Sequence, residues 1–168
     1  MKKVIFLIFT IIYTFISISE IYAQQRDAYL QLLHPLTGKN WEGIMERFGE
    51  GAKRKVRWDI MWNGKAVKQV TEVEKINFIT ETYYYWDPDK QEISMFSLSN
   101  NGNYLQGHVK KENGRILMYG VATYPKAKVK FRNTFELTED GKLIDRWFTF
   151  LDGEWKPGHV FELTEIKE

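Results

Sequence analysis

The chain has no cysteine among its 168 residues. Disulfide bonds, thiolate nucleophiles and cysteine-held metals are therefore excluded. Histidine is scarce: His34, His108 and His159 stand far apart, and none forms a zinc-spaced pair. Neither sign of charge dominates. A formal net charge of +2 gives no electrostatic case for nucleic acid or for an anionic membrane surface. A Gly-x-Ser-x-Gly elbow and a phosphate-cradling glycine loop are also missing. Paired acids such as Glu72 and Glu74 fall among lysines and read as solvated surface. Catalysis has thin support, so a non-enzymatic role is expected.

Long apolar runs are absent except at the N-terminus. Lys2 and Lys3 precede an apolar stretch at 4–18, and Ile21-Tyr22-Ala23 resembles a signal-peptidase site ending in a small residue. Cleavage after Ala23 is expected, giving a signal peptide at 1–23 and a single domain at 24–168. The alternative, an uncleaved anchor, is disfavoured because the apolar core is shorter than the roughly 18 to 20 residues of a spanning helix. No membrane span is expected after cleavage, and the absence of cysteine excludes a lipid-modified N-terminus. The expected location is the periplasm or the exterior.

What is abundant is strand-like pattern. One short helix is expected at 27–33, capped by Asp27, with Tyr29, Leu30, Leu32 and Leu33 on its apolar side and Pro35 beyond it. After it, ten strand-like runs follow at about 40–48, 53–62, 65–78, 80–87, 91–98, 103–111, 115–124, 128–137, 142–151 and 155–165. Turn chemistry separates them: Asn63-Gly64, Asp87-Pro88-Asp89, Asn100 to Asn103, Asn113-Gly114, Asp140-Gly141 and Asp152-Gly153. Short links imply antiparallel neighbours, and ten such strands leave exposed edges unless the sheet closes. The sequence predicts an all-β, antiparallel up-and-down barrel of about ten strands with a short N-terminal helix.

Alternation assigns the faces. Val56, Trp58, Ile60 and Trp62 oppose Lys55, Arg57 and Asp59; Val67, Gln69, Thr71 and Val73 oppose Lys68, Glu72 and Glu74. Phe131, Asn133 and Phe135 oppose Lys130, Arg132 and Glu136. An apolar inside and a charged outside fit a barrel in water, not an outer-membrane barrel.

At Gly38-Lys39-Asn40-Trp41-Glu42-Gly43 the chain resembles the calycin superfamily, in which a glycine and a tryptophan open the first barrel strand. The spacing here is one residue longer than the usual Gly-x-Trp. With ten short-linked strands, the region 34–168 looks most like the small lipocalin-like or nitrobindin-like barrels. The resemblance implies that Trp41 closes the barrel floor beneath a preceding helical turn. In nitrobindin-like barrels a histidine near the C-terminus ligates haem iron, and His159 is similar in place.

Parity puts His159 inside with Phe161 and Leu163, and His108 outside with Tyr104, Gln106 and Lys110. Asn133, Gln69 and Asp145 are polar groups on otherwise apolar faces; such groups either orient a small ligand or bond to one another. The expected ligand-binding set is Trp58, Trp62, Gln69, Phe131, Asn133, Phe135, Asp145, Trp147 and His159, with no catalytic residue and no metal site apart from haem at His159. In Tyr83-Tyr84-Tyr85-Trp86, alternation sends one pair in and the other out. The leading expectation is a secreted binding protein holding a small, mostly apolar molecule and no cofactor. The alternatives are a barrel filled by its own aromatics that meets a partner through its outer wall, and haem binding through His159. A void well below about 300 Å³ would favour the filled barrel.

Overall fold

Ten antiparallel strands form a closed barrel in the computed structural model, which describes residues 30–45 and 51–166. The expected signal peptide at 1–23, the start of the expected helix at 27–29 and the end of the first expected strand at 46–48 lie outside the described residues. The strands are β1 (Asn40–Met45), β2 (Ala52–Met61), β3 (Ala66–Val73), β4 (Phe78–Asp87) and β5 (Glu92–Ser99). They continue as β6 (Tyr104–Glu112), β7 (Arg115–Tyr124), β8 (Ala127–Leu137), β9 (Lys142–Leu151) and β10 (Glu154–Ile166). Each pairs with its sequence neighbours, and β1 closes on β10 through Asn40↔Ile166, Trp41↔Glu165 and Glu42↔Thr164. Among the described strands no edge is left unpaired, which removes the aggregation hazard of an open sheet of this size.

The tight links explain the up-and-down order. Asn113 and Gly114 (φ 51° and 79°) and Asp152 and Gly153 (φ 53° and 83°) each carry the two positive φ values that a two-residue hairpin needs. Two links differ from the sequence expectation. The run at 65–78 stops at Val73, where a 3₁₀ helix, Glu74–Ile76, and a left-handed Asn77 (φ 47°) turn the chain into β4. Between β2 and β3 the chain turns one residue early: the Gly64 N–H donates to the Met61 carbonyl at 3.1 Å, making Trp62 and Asn63 the central pair. Both have positive φ (49° and 55°), so Trp62 leaves the strand and is 66% exposed. The expectation that Trp62 lines the interior is corrected accordingly.

Inside, the two ends of the barrel differ. At one end Leu33 and Leu36, the latter in the 3₁₀ helix His34–Leu36, are buried beside the wholly enclosed Trp41. The Gly38 N–H donates to the Trp58 carbonyl at 2.8 Å and ties this segment to β2. Trp58 stacks on Tyr84 with centroids 5.3 Å apart and meets the edge of Phe135 at 5.4 Å. Val56, Val67, Ile93, Val109, Leu143 and Leu163 complete a packed floor. Toward the other end the inward positions of β3, β4 and β5 change to Thr71, Thr80, Thr82, Ser97 and Ser99, which are small and polar. Hydrophobic packing seals the floor, and the smaller side chains leave space above it.

Strands β6 and β7 come close at Gly107↔Gly120. A Cβ on Gly107 would lie 2.1 Å from the Tyr119 carbonyl oxygen, and one on Gly120 would lie 2.0 Å from that of Gln106. Only glycine fits this approach, the kind of position where a barrel wall bends sharply.

Candidate functional site

The space above the floor is a cavity of about 500 Å³, open at the end where β3 leaves, β4 begins and the β5–β6, β7–β8 and β9–β10 links lie. Phe78, Leu105, Tyr124, Leu151, Lys156 and Pro157 stand near its mouth. Met95, Met118, Phe135 and Trp147 supply most of the apolar wall. One side carries a ladder of hydroxyls: Thr80 and Ser99 are hydrogen-bonded at 2.9 Å, and Thr82 donates to Ser97 at the same distance. These pairs are cross-strand neighbours in the β4–β5 register, so each hydroxyl has the one opposite as a partner.

The floor of the cavity holds charge. Arg54 on β2 reaches across β1 and β10 to Asp145 on β9, with Nη1 2.5 Å from Oδ2. Arg54 is 7% exposed and Asp145 is 1% exposed. The oxygen lies off the N–H axis, so neither carboxylate oxygen accepts an aligned hydrogen bond from the protein. The guanidinium also rests 4.4 Å above the Phe161 ring, which adds a cation–π contact. Asn133, 3% exposed, sits on β8 diagonally from Asp145, and its Oδ1 is likewise without a hydrogen-bond partner. Gln69 Oε1 accepts from the Tyr84 hydroxyl at 2.6 Å, and the Tyr84 hydroxyl also lies 3.1 Å from Met118 Sδ. Burial, with the Asp145 charge behind it, pushes the Tyr84 phenol well above its ordinary value, so the group stays neutral.

On the β10 side the ladder slips between Pro157 and Val160. A Cβ on Gly158 would lie 2.7 Å from Trp147 Cδ1, so glycine lets the indole lie against the bulged strand. Trp147 stacks flat on Phe131 (4.8 Å, 0°) and donates from Nε1 to Thr149 Oγ1 at 3.0 Å. His159 sits in the bulge, half-buried between Trp147 (5.9 Å) and Phe161 (4.4 Å), with Nε2 3.9 Å from Asp145 Oδ1. His108 lies on the outer wall, 2.8 Å from the Glu92 carboxylate and beside Tyr119. It is less exposed than its strand face implied. Among the described residues no group of three or more histidine and acidic side chains is placed to hold a metal ion.

Of the nine residues expected from the sequence, Gln69, Asn133, Phe135, Asp145, Trp147 and His159 line this one cavity. Trp58 and Phe131 are wholly enclosed, Trp58 against Tyr84 and Phe135 and Phe131 against Trp147, and do not line it. Trp62 is on the outside, for the reason given above. Arg54, Thr80, Thr82, Ser97 and Ser99 escaped notice. Their signal was parity: Arg54 is two residues before Val56, yet Lys53-Arg54-Lys55 reads as a solvated basic run. Among the aromatic run, Tyr84 is enclosed and Tyr85 is exposed, as alternation required. No protein-family model matches this chain, and no curated protein shows significant sequence similarity to it.

Proposed function

We propose that this protein is an exported, lipocalin-like binding protein that holds a small, mostly apolar molecule in its barrel. The observation that carries this reading is the cavity of about 500 Å³, which falls within the range of roughly 300–1,000 Å³ typical of small-molecule sites. Its apolar wall with a few converging polar groups is the usual composition of such sites. The calycin-like element of the reading draws on Trp41, enclosed at the floor beneath the Leu33–Leu36 segment. The export element draws on the N-terminal pattern alone.

Purification of the protein from its native source and native mass spectrometry should reveal a retained small molecule. Protein stripped of it should take up an environment-sensitive dye, and Ser97→Phe, which fills the cavity, should abolish uptake while the folded near-ultraviolet signal persists. Absence of both a retained molecule and dye uptake would defeat the proposal.

A second reading has one observation in its favour. On the outer wall Arg132 lies 4.3 Å above the Trp155 ring, Trp155 meets Phe150 at 5.2 Å, and Lys130 lies 5.8 Å from Phe150. That aromatic and basic strip suits contact with another molecule. Haem has less support: the His159 ring packs against Trp147 and Phe161, and its Nε2 is near a carboxylate rather than open apolar space.

A further inference from the structure

We infer that the buried end of the ligand is an uncharged group that both accepts and donates hydrogen bonds, as an amide, lactam or urea does. This rests on reading the cavity as a ligand site and names the chemistry which that site selects. Much of the polar wall already has partners within the protein. The hydroxyls of Thr80, Thr82, Ser97 and Ser99 bond in pairs, and Gln69 bonds to Tyr84. Of the described side chains that line the cavity, three deeply buried ones are left with polar atoms lacking an aligned partner: Nη1 of Arg54, both carboxylate oxygens of Asp145, and Oδ1 of Asn133. All three residues line the same cavity.

A donor-bearing cation therefore stands directly beside an acceptor-bearing anion. The charges offset at 2.5 Å, so the floor of the cavity presents hydrogen-bonding capacity without net charge. At the rim, Lys156 is offset by Glu154 at 3.2 Å and Asp152 at 3.6 Å. A ligand carboxylate would gain from Arg54 but confront Asp145, and an ammonium would gain from Asp145 but confront Arg54. A neutral amide meets both, its carbonyl accepting from the guanidinium and its N–H donating to Asp145 or Asn133. A purely apolar head brings no donor to the Asn133 and Asp145 oxygens, which a polar site penalises.

The test is isothermal titration calorimetry of the exported protein with octanamide, octanoate and octylammonium, three probes sharing one chain length. It is run at about pH 8, above the ordinary imidazole range, because His159 faces Asp145. The amide should bind about tenfold more tightly than either ion. Asp145→Asn should turn the preference toward octanoate by uncovering the Arg54 charge. If this variant does not fold, the wild-type series still decides. Equal affinities, or an ion binding tightest to the wild type, would overturn the inference and leave the carrier reading standing. Failure of all three to bind, together with failure to take up dye, would remove the carrier reading itself.

Discussion

Arg54 and Asp145 are the residues on which the interior depends most. Removing one partner of a buried ion pair leaves an uncompensated charge, at a cost of about 3–5 kcal/mol, whereas replacing both by apolar groups is often close to neutral. Arg54→Met is therefore expected to lower unfolding stability in urea by about that amount, with Arg54→Met/Asp145→Leu recovering most of it. A double variant as unstable as the sum of its parts would mean that the two groups do not act as a pair. Single residues were legible where polarity broke an apolar face, as at Gln69, Asn133 and Asp145. They were illegible where context misled. Arg54 sits between two lysines that point outward, and Trp62 continues the parity of its strand one step past where the strand ends. Parity holds only while the residue is still in the ladder.

At the scale of elements, the wall is held by backbone ladders and by ion pairs that cross them. Glu136 on β8 takes Arg115 Nε of β7 at 2.9 Å and Arg146 Nη1 of β9 at 2.7 Å, linking three strands. The Arg146 hydrogen bond is the main reason its carboxyl lies below the ordinary value, with Arg115 adding to it. A depressed carboxyl favours the folded state in full above the unfolded value and loses that contribution as pH falls through the folded one. Glu136→Gln should thus lower Tm near neutrality, and the difference from wild type should shrink as the medium is acidified through the carboxylate range. A pH-independent difference would assign the effect to something other than charge. The Gly107↔Gly120 approach allows a sterner test. Gly120→Ala sets a methyl group against a carbonyl 2.0 Å away, so β6 and β7 must part. A loss of about 1–3 kcal/mol in urea unfolding is expected, comparable to overpacking elsewhere; a neutral effect would mean that the wall yields freely there. Most element boundaries were readable from turn chemistry, since Asn-Gly and Asp-Gly pairs specify backbone angles, although at Asn63-Gly64 the turn falls one residue early on Trp62 and Asn63. The 3₁₀ helix after β3 was not, because Glu74-Lys75-Ile76 carries no glycine or proline to mark it.

For the whole molecule, nearly all pairing is between sequence neighbours, and the β1–β10 seam alone joins distant parts of the described chain. That seam carries the greatest loop-closure cost and rests on few residue pairs. Deleting 164–168 removes the partners of Asn40, Trp41 and Glu42. The truncated protein is expected to expose both strand edges and to self-associate in size-exclusion chromatography. Its tryptophan emission should shift to the red as Trp41 meets water. A monomeric truncation with unshifted emission would show that the seam is dispensable. The number and order of strands could be read from the sequence because each link is local. Whether the interior would be full or hollow could not, because it depends on how side chains from opposite walls share one volume. Trp58 and Trp147 both point inward by parity, yet one is part of the plug and the other is wall.

The sealed floor turns the barrel into a cul-de-sac. Any guest leaves by the door it came in, past Phe78, Tyr124, Leu151 and Lys156. Bulk added at that doorway raises the same barrier in both directions, so traffic slows while occupancy at equilibrium stays put. Changes deep inside alter occupancy, and with it the rate of exit, while entry keeps its pace. For a barrel that carries a guest, the doorway therefore sets the rate of entry, and the interior sets how strongly the guest is held.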